Sequence, residues 1–104
     1  MVNEINFYKD VPTEGIAFVL CGTSSCGACK MQRGILNTFE KNTNALCYHF
    51  YGDKNIYEVD KFDMSGKQLP IMYIYKNGRV IFTSTGIVNR LAILEREYEN
   101  AQKE

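Results

Sequence analysis

Net charge is the first thing this sequence lacks: twelve lysines and arginines are matched by twelve aspartates and glutamates. Without a surplus of positive charge there is no electrostatic case for nucleic acid or an anionic membrane surface as a partner. Long apolar runs are missing as well. Nothing approaches the ~18 consecutive apolar residues that a bilayer-crossing helix requires, and Met1 to Asp10 shows no basic segment followed by an apolar one. The chain therefore reads as a soluble, cytoplasmic protein. Repeats, low-complexity tracts and linker-like stretches are also absent, and 104 residues accommodate one domain spanning 1–104. Tryptophan does not occur, and histidine occurs once, as His49.

What the chain does have is apolar weight, 45% hydrophobic residues, and four cysteines. Small secreted scaffolds use disulfides in place of a core, whereas this chain can build one, so two structural disulfides are not the expected arrangement. Cys21, in the run Phe18, Val19, Leu20, Cys21, and Cys47, between Leu46 and Tyr48, read as small buried hydrophobes. Cys26 and Cys29 differ. They form a CxxC placed directly after an apolar run and directly before a helix-like segment. A thiolate at a helix N-terminus faces unpaired backbone N–H groups and the positive end of the peptide dipoles, which primes it to attack disulfides. Zinc would need two further ligands, and neither Cys21 nor His49 stands at a recognisable zinc spacing, so no metal is expected.

Strand and helix signals alternate along the chain. Ile5 to Tyr8 is a short strand candidate, and Val11 to Gly15, with Pro12, is a loop or a degenerate helix. Ile16 to Cys21 is a continuous apolar run of the kind buried on both faces of a central sheet. Gly22 to Ser25 supply turn chemistry, with Thr23, Ser24 or Ser25 as cap, and a helix should start at or near Cys26. Met31, Ile35 and Phe39, widened by Leu36, form its apolar stripe; Gly34, which costs ~1 kcal/mol relative to alanine, marks a kink or a close approach.

Ala45 to Tyr51 is a third strand, and Ile56, Val59 and Phe62 predict a short helix over 55–64. Ile71 to Tyr75 and Arg79 to Ser84 flank Lys76, Asn77 and Gly78, a strong hairpin signal. Asn89 is the expected cap of a last helix lined by Leu91, Ile93, Leu94 and Tyr98. This order belongs to α/β proteins with a mixed sheet covered on both faces.

A CxxC at the end of a buried strand in such a chain reads as a redox motif. From about Ile16 onward the chain resembles the thioredoxin family. Cys26, Gly27, Ala28, Cys29, Lys30 and Met31 resemble its active-site segment; Leu69 and Pro70 its cis-proline step; Lys76, Asn77 and Gly78 its hairpin; and Gly86 its substrate-loop glycine. The resemblance implies a thioredoxin fold, a mixed central sheet flanked by helices on both faces, with the first helix reduced because the N-terminal part is short. It implies reduction or exchange of protein disulfides, Cys26 attacking and Cys29 resolving the mixed disulfide. Leu69, Pro70 and Gly86, with Gly27 and Ala28, would line the substrate groove. The redox-active cysteine pair would be the only redox group, with NADPH acting through a separate thioredoxin reductase-like enzyme; the partners would be disulfide-containing proteins and the chain a monomer.

The departures from the family pattern matter equally. Ser25 stands where a tryptophan often precedes the first cysteine, which makes the substrate-facing surface less apolar. Ala28 replaces a common proline, freeing an N–H near Cys26, and predicts a protein more oxidising than the ~−270 mV of thioredoxin when equilibrated with a thiol buffer. Leu20 takes the place of a buried aspartate that moves protons for the resolving cysteine. His49 reads first as a histidine on an edge or surface of its strand; by the resemblance it falls where a partly buried lysine often stands, which makes it a candidate proton relay. Two other functions fit the same pattern less well: a binding or assembly module with little turnover, and a glutaredoxin-like enzyme, for which basic residues to hold glutathione's carboxylates are not evident.

Overall fold

The computed structural model describes all residues from Met1 to Glu104. Its elements are β1 (Asn3–Ile5), β2 (Ile16–Gly22), α1 (Gly27–Thr43), β3 (Leu46–Tyr51), β4 (Ile71–Lys76), β5 (Arg79–Thr85) and α2 (Leu91–Lys103), with single 3-10 turns at Tyr8–Asp10 and Ile56–Glu58. The strands form one sheet in the order β1-β3-β2-β4-β5. β1, β3 and β2 run parallel, while β4 lies antiparallel to β2 and β5 antiparallel to β4. β2 is central, and Ala17 to Cys21 are wholly buried, as a continuous apolar run paired on both sides requires.

Alternation along β2 divides the core in two. Phe18 and Leu20 face a layer containing Leu36 and Phe39 of α1 and Leu94 and Ala101 of α2. Ala17, Val19 and Cys21 face a layer containing Val11, Phe62, Met64 and Tyr75. Both α-helices thus cover one face of the mixed sheet. On the other, the cover is reduced to 3-10 turns and loops, pinned where Tyr8 N–H donates to the buried Glu58 carboxylate at 2.7 Å.

Several local expectations are corrected. The first strand is Asn3–Ile5 rather than 5–8, because the Tyr8 ring turns into the second layer, 5.1 Å from Phe62. The predicted helix over 55–64 is only a 3-10 turn. Its Val59 and Phe62 do pack inward, but Asp63 takes a positive φ of 53°, which a right-handed helix does not allow, and the Tyr73 hydroxyl anchors the turn by donating to the Phe62 carbonyl at 2.7 Å. The stripe of α1 is rotated: Cys29, Gln32, Leu36 and Phe39 are buried, whereas Met31 is 60% exposed. Gly34 marks no close approach, since a Cβ there would meet nothing within 4 Å and the helix runs through it. The cap position of α2 is Arg90, one residue beyond Asn89. The hairpin is as expected, with Asn77 and Gly78 both at positive φ, as a type I′ turn requires.

Candidate active site

β2 ends at Gly22 and the chain turns through Thr23–Ser25 into α1. The turn is tied from outside: Gly52 N–H donates to Gly22 O at 2.8 Å, and Ser24 N–H donates to Asp53 Oδ1 at 3.0 Å. Hydrogen bonds from Ser24 hold the Asp53 carboxyl below its ordinary pKa. Thr23, Ser24 and Ser25 do not cap the helix. Cys26 does, its Sγ accepting the Cys29 N–H at 3.1 Å. The two cysteines are joined as a disulfide with Cα atoms 5.2 Å apart. Cys26 is half-buried and Cys29 has no exposed surface.

Cys21 pairs with Ile71 across the sheet, so the segment preceding β4 arrives at the end of β2 from which Cys26 departs. That segment is Leu69–Pro70, joined by a cis peptide bond, with Leu69 half-buried and Pro70 buried. Gly86 N–H donates to Pro70 O at 2.9 Å, and Gly86 has φ 81°, a conformation that favours glycine. With Gly27 exposed and Ala28 half-buried in the first turn of α1, the residues read from sequence as attacker, resolver and groove gather at one end of the sheet.

His49 is not on the surface: it is 1% exposed. The β2–β3 register pairs it with Leu20 on the helical face, where Leu20 itself is sealed in apolar core. A Cβ built on Gly22 would lie 2.5 Å from Cys29 Sγ and 3.6 Å from His49 Nε2. The missing side chain of Gly22 is therefore what lets the inner sulfur and the imidazole share one small space. His49 Nε2 has no hydrogen-bond partner, while Nδ1 lies 3.4 Å from Arg33 Nη1. Arg33 also donates to Tyr51 Oη at 2.5 Å and Val2 O at 3.2 Å, and the Tyr51 ring stacks on the imidazole at 3.9 Å. Burial, then Arg33 and Lys54, push the His49 pKa down to about 4, so the ring is neutral at pH 7.

Sequence reasoning missed Gly22, Arg33 and Gln32. The buried Gln32 amide donates to Val88 O at 3.1 Å and accepts from Val88 N–H at 2.7 Å, tying α1 to the chain just after Gly86. A glycine closing a buried strand four residues before a CxxC is the one signal the sequence offers. Cys21 and Cys47 are buried as expected; burial raises both thiols, Cys47 to about 12 with help from Glu40, so neither offers thiolate at neutral pH. No three His, Cys, Asp or Glu side chains converge as metal ligands would.

No family model matches the chain, and no curated protein matches it by sequence. Solved structures do match. Reduced thioredoxin pre-protein from Schistosoma mansoni superposes with a TM-score of 0.76 at 17% identity, covering 95% of this chain and 96% of that one. A mutant thioredoxin from Halobacterium salinarum gives 0.78 at 14% identity, covering 95% and 90%. Chloroplastic thioredoxin z gives 0.84 at 13% identity, covering 99% and 96%. The fold is that of thioredoxin. At these identities the likeness is one of architecture, and within the thioredoxin fold Cys26 and Cys29 stand close enough to be joined as a disulfide. No helix is long and apolar enough to cross a membrane.

Proposed function

We propose that this protein is a thiol-disulfide oxidoreductase that reduces protein disulfides through Cys26 and Cys29. The observation that carries the reading is the asymmetry of the pair: Cys26 sits half-buried at the cap of α1 with its Sγ accepting a backbone N–H, and Cys29 lies wholly buried one turn inward. A sulfur in the first position is accessible and its anion is favoured by the helix terminus. One in the second is shielded from outside disulfides but within reach of Cys26.

The reduced protein would act in two exchanges. Cys26 thiolate attacks one substrate sulfur; the substrate S–S bond breaks, one substrate thiolate leaves and a mixed disulfide forms. Cys29 then loses its proton and attacks Cys26 Sγ; the mixed disulfide breaks, the second substrate sulfur leaves and takes up a proton, and the Cys26–Cys29 bond forms. Two electrons have passed to the substrate. Backbone at Leu69, Pro70 and Gly86, with Gly27 and Ala28, would receive the substrate strand. His49, buried beside the space that Gly22 leaves next to Cys29, would serve the resolving thiol. A separate flavoprotein reductase drawing on NADPH would restore the dithiol, and the protein would work as a cytoplasmic monomer.

Insulin reduction coupled to a thioredoxin reductase and NADPH tests this. Wild-type protein should turn over, Cys26→Ser and Cys29→Ser should not, and Cys29→Ser should accumulate a mixed disulfide. Turnover surviving the loss of Cys26 rules the mechanism out. A wild-type protein that traps partners but never turns over would instead be a binding module.

A further inference from the structure

Building on the reading of Cys29 as the resolving thiol, we propose that Arg33 and His49 form a donor pair for it: Arg33 donates to His49 Nδ1, and the neutral imidazole therefore carries its one hydrogen on Nε2 and directs it toward Cys29 Sγ. His49 is thus a hydrogen-bond donor to the resolving sulfur rather than a base that takes its proton. Arg33 is the positioning residue that sets the tautomer.

A guanidinium has five N–H donors and no acceptor, so in its 3.4 Å contact with Nδ1 the imidazole nitrogen can only accept. Neutral imidazole has one N–H, which leaves it on Nε2. That atom is buried and unpartnered, and it borders the space left open by Gly22 together with Cys29 Sγ: the point a Gly22 Cβ would occupy is 3.6 Å from Nε2 and 2.5 Å from Sγ. A disulfide sulfur accepts hydrogen bonds poorly, whereas a thiolate accepts them well, so the donor is idle in the oxidised protein and engaged when Cys29 ionises.

The surroundings oppose the alternative. α1 presents Arg33 and Cys29; β2 presents only Leu20 and Gly22; β3 presents Tyr51; and Lys54, just beyond β3, adds a second positive charge. Glu4, paired with His49 from β1, is engaged by Lys54 at 3.3 Å. A second proton would have to enter at Nδ1, against the Arg33 charge. In the resolving step the proton that Cys29 loses is balanced by the one the departing substrate thiolate takes up, and His49 ends as it began.

His49 is the only histidine, so protein carrying ¹⁵N-labelled histidine gives a one-residue spectrum. Reduced wild type at pH 7 should show a protonated Nε2 and an unprotonated Nδ1, and Arg33→Met should mix the tautomers. A hydrogen on Nδ1 in wild type overturns the proposal. This readout needs no turnover, so it decides the tautomer whether or not the functional reading holds.

The role at sulfur is read from a chromogenic aromatic disulfide, as the rate at which Cys29 releases the second aromatic thiol from its mixed disulfide with Cys26. His49→Leu should slow that release about tenfold at pH 7, the worth of one hydrogen bond to a charged group, and move its pH midpoint upward. His49→Gln, which keeps an N–H donor and accepts no proton near neutrality, should recover most of the rate. Gln as slow as Leu overturns the donor role. If Leu does not fold, Gln compared with wild type still decides. Wild type that releases no second thiol fails the functional reading alone.

Discussion

Two glycines separate what one residue can do by where it stands. Gly22 borders the space shared by Cys29 and His49; an added Cβ would lie 2.5 Å from Cys29 Sγ and 2.9 Å from Cys29 Cβ, so the cysteine would have to move. Gly34 sits in the interior of α1, where an added Cβ meets nothing within 4 Å. Gly22→Ala is expected to cost about 1–3 kcal/mol by overpacking and to slow resolution of the mixed disulfide. Gly34→Ala is expected to add about 1 kcal/mol through helix propensity and leave exchange unchanged. Urea unfolding and single-turnover exchange on the two variants check both; equal effects at the two sites would contradict the placement of Gly22. The CxxC and the Leu69–Pro70 step were legible in the sequence because their chemistry is local. The burial of His49 was not, because it depends on a β2–β3 register that a one-residue slip would reverse.

On the scale of elements, α1 shows why an apolar stripe can be misread. Its buried positions, Cys29, Gln32, Leu36 and Phe39, follow a 3-4-3 spacing that includes a glutamine, while the more hydrophobic Met31 is exposed. The glutamine belongs inside because both polar atoms of its amide are satisfied by the Val88 backbone, at 3.1 and 2.7 Å. That exchange fastens the active-site helix to the chain following Gly86, and long-range partners of this kind leave no trace in periodicity. Gln32→Leu strands a buried N–H and C=O and is expected to cost about 2–4 kcal/mol in urea unfolding. It should also raise KM for a protein disulfide more than for a small aromatic one, since only the former needs the Gly86 backbone. An unchanged midpoint would mean that water replaces the amide. The lost helix over 55–64 has the same kind of cause: its apolar spacing packs inward as anticipated, but Tyr73 and the turn at Asp63 claim the backbone.

For the molecule as a whole, element order and the central sheet could be read because continuous apolar strands and an Asn-Gly turn are strong signals, while the thin cover of the second face depended on contacts between segments 50 residues apart, Tyr8 to Glu58. The same two-layer architecture makes the acid limit of stability a global property of one side chain. His49 has a pKa of about 4 in the fold, against an ordinary 6.5. Between those values the unfolded chain binds a proton that the folded one does not, so stability falls as pH drops through 6.5 and stops falling on this account below about 4. The full window amounts to about 3 kcal/mol. Asp53 and Glu58, held below their ordinary range by hydrogen bonds, lose their contributions only in more acid solution. Urea midpoints measured from pH 7.5 to 4.5 should therefore decline in wild type and decline less in His49→Gln, whose side chain carries no titrating group. A decline of equal slope in both would place its source in other groups and leave the buried imidazole without an influence on folding.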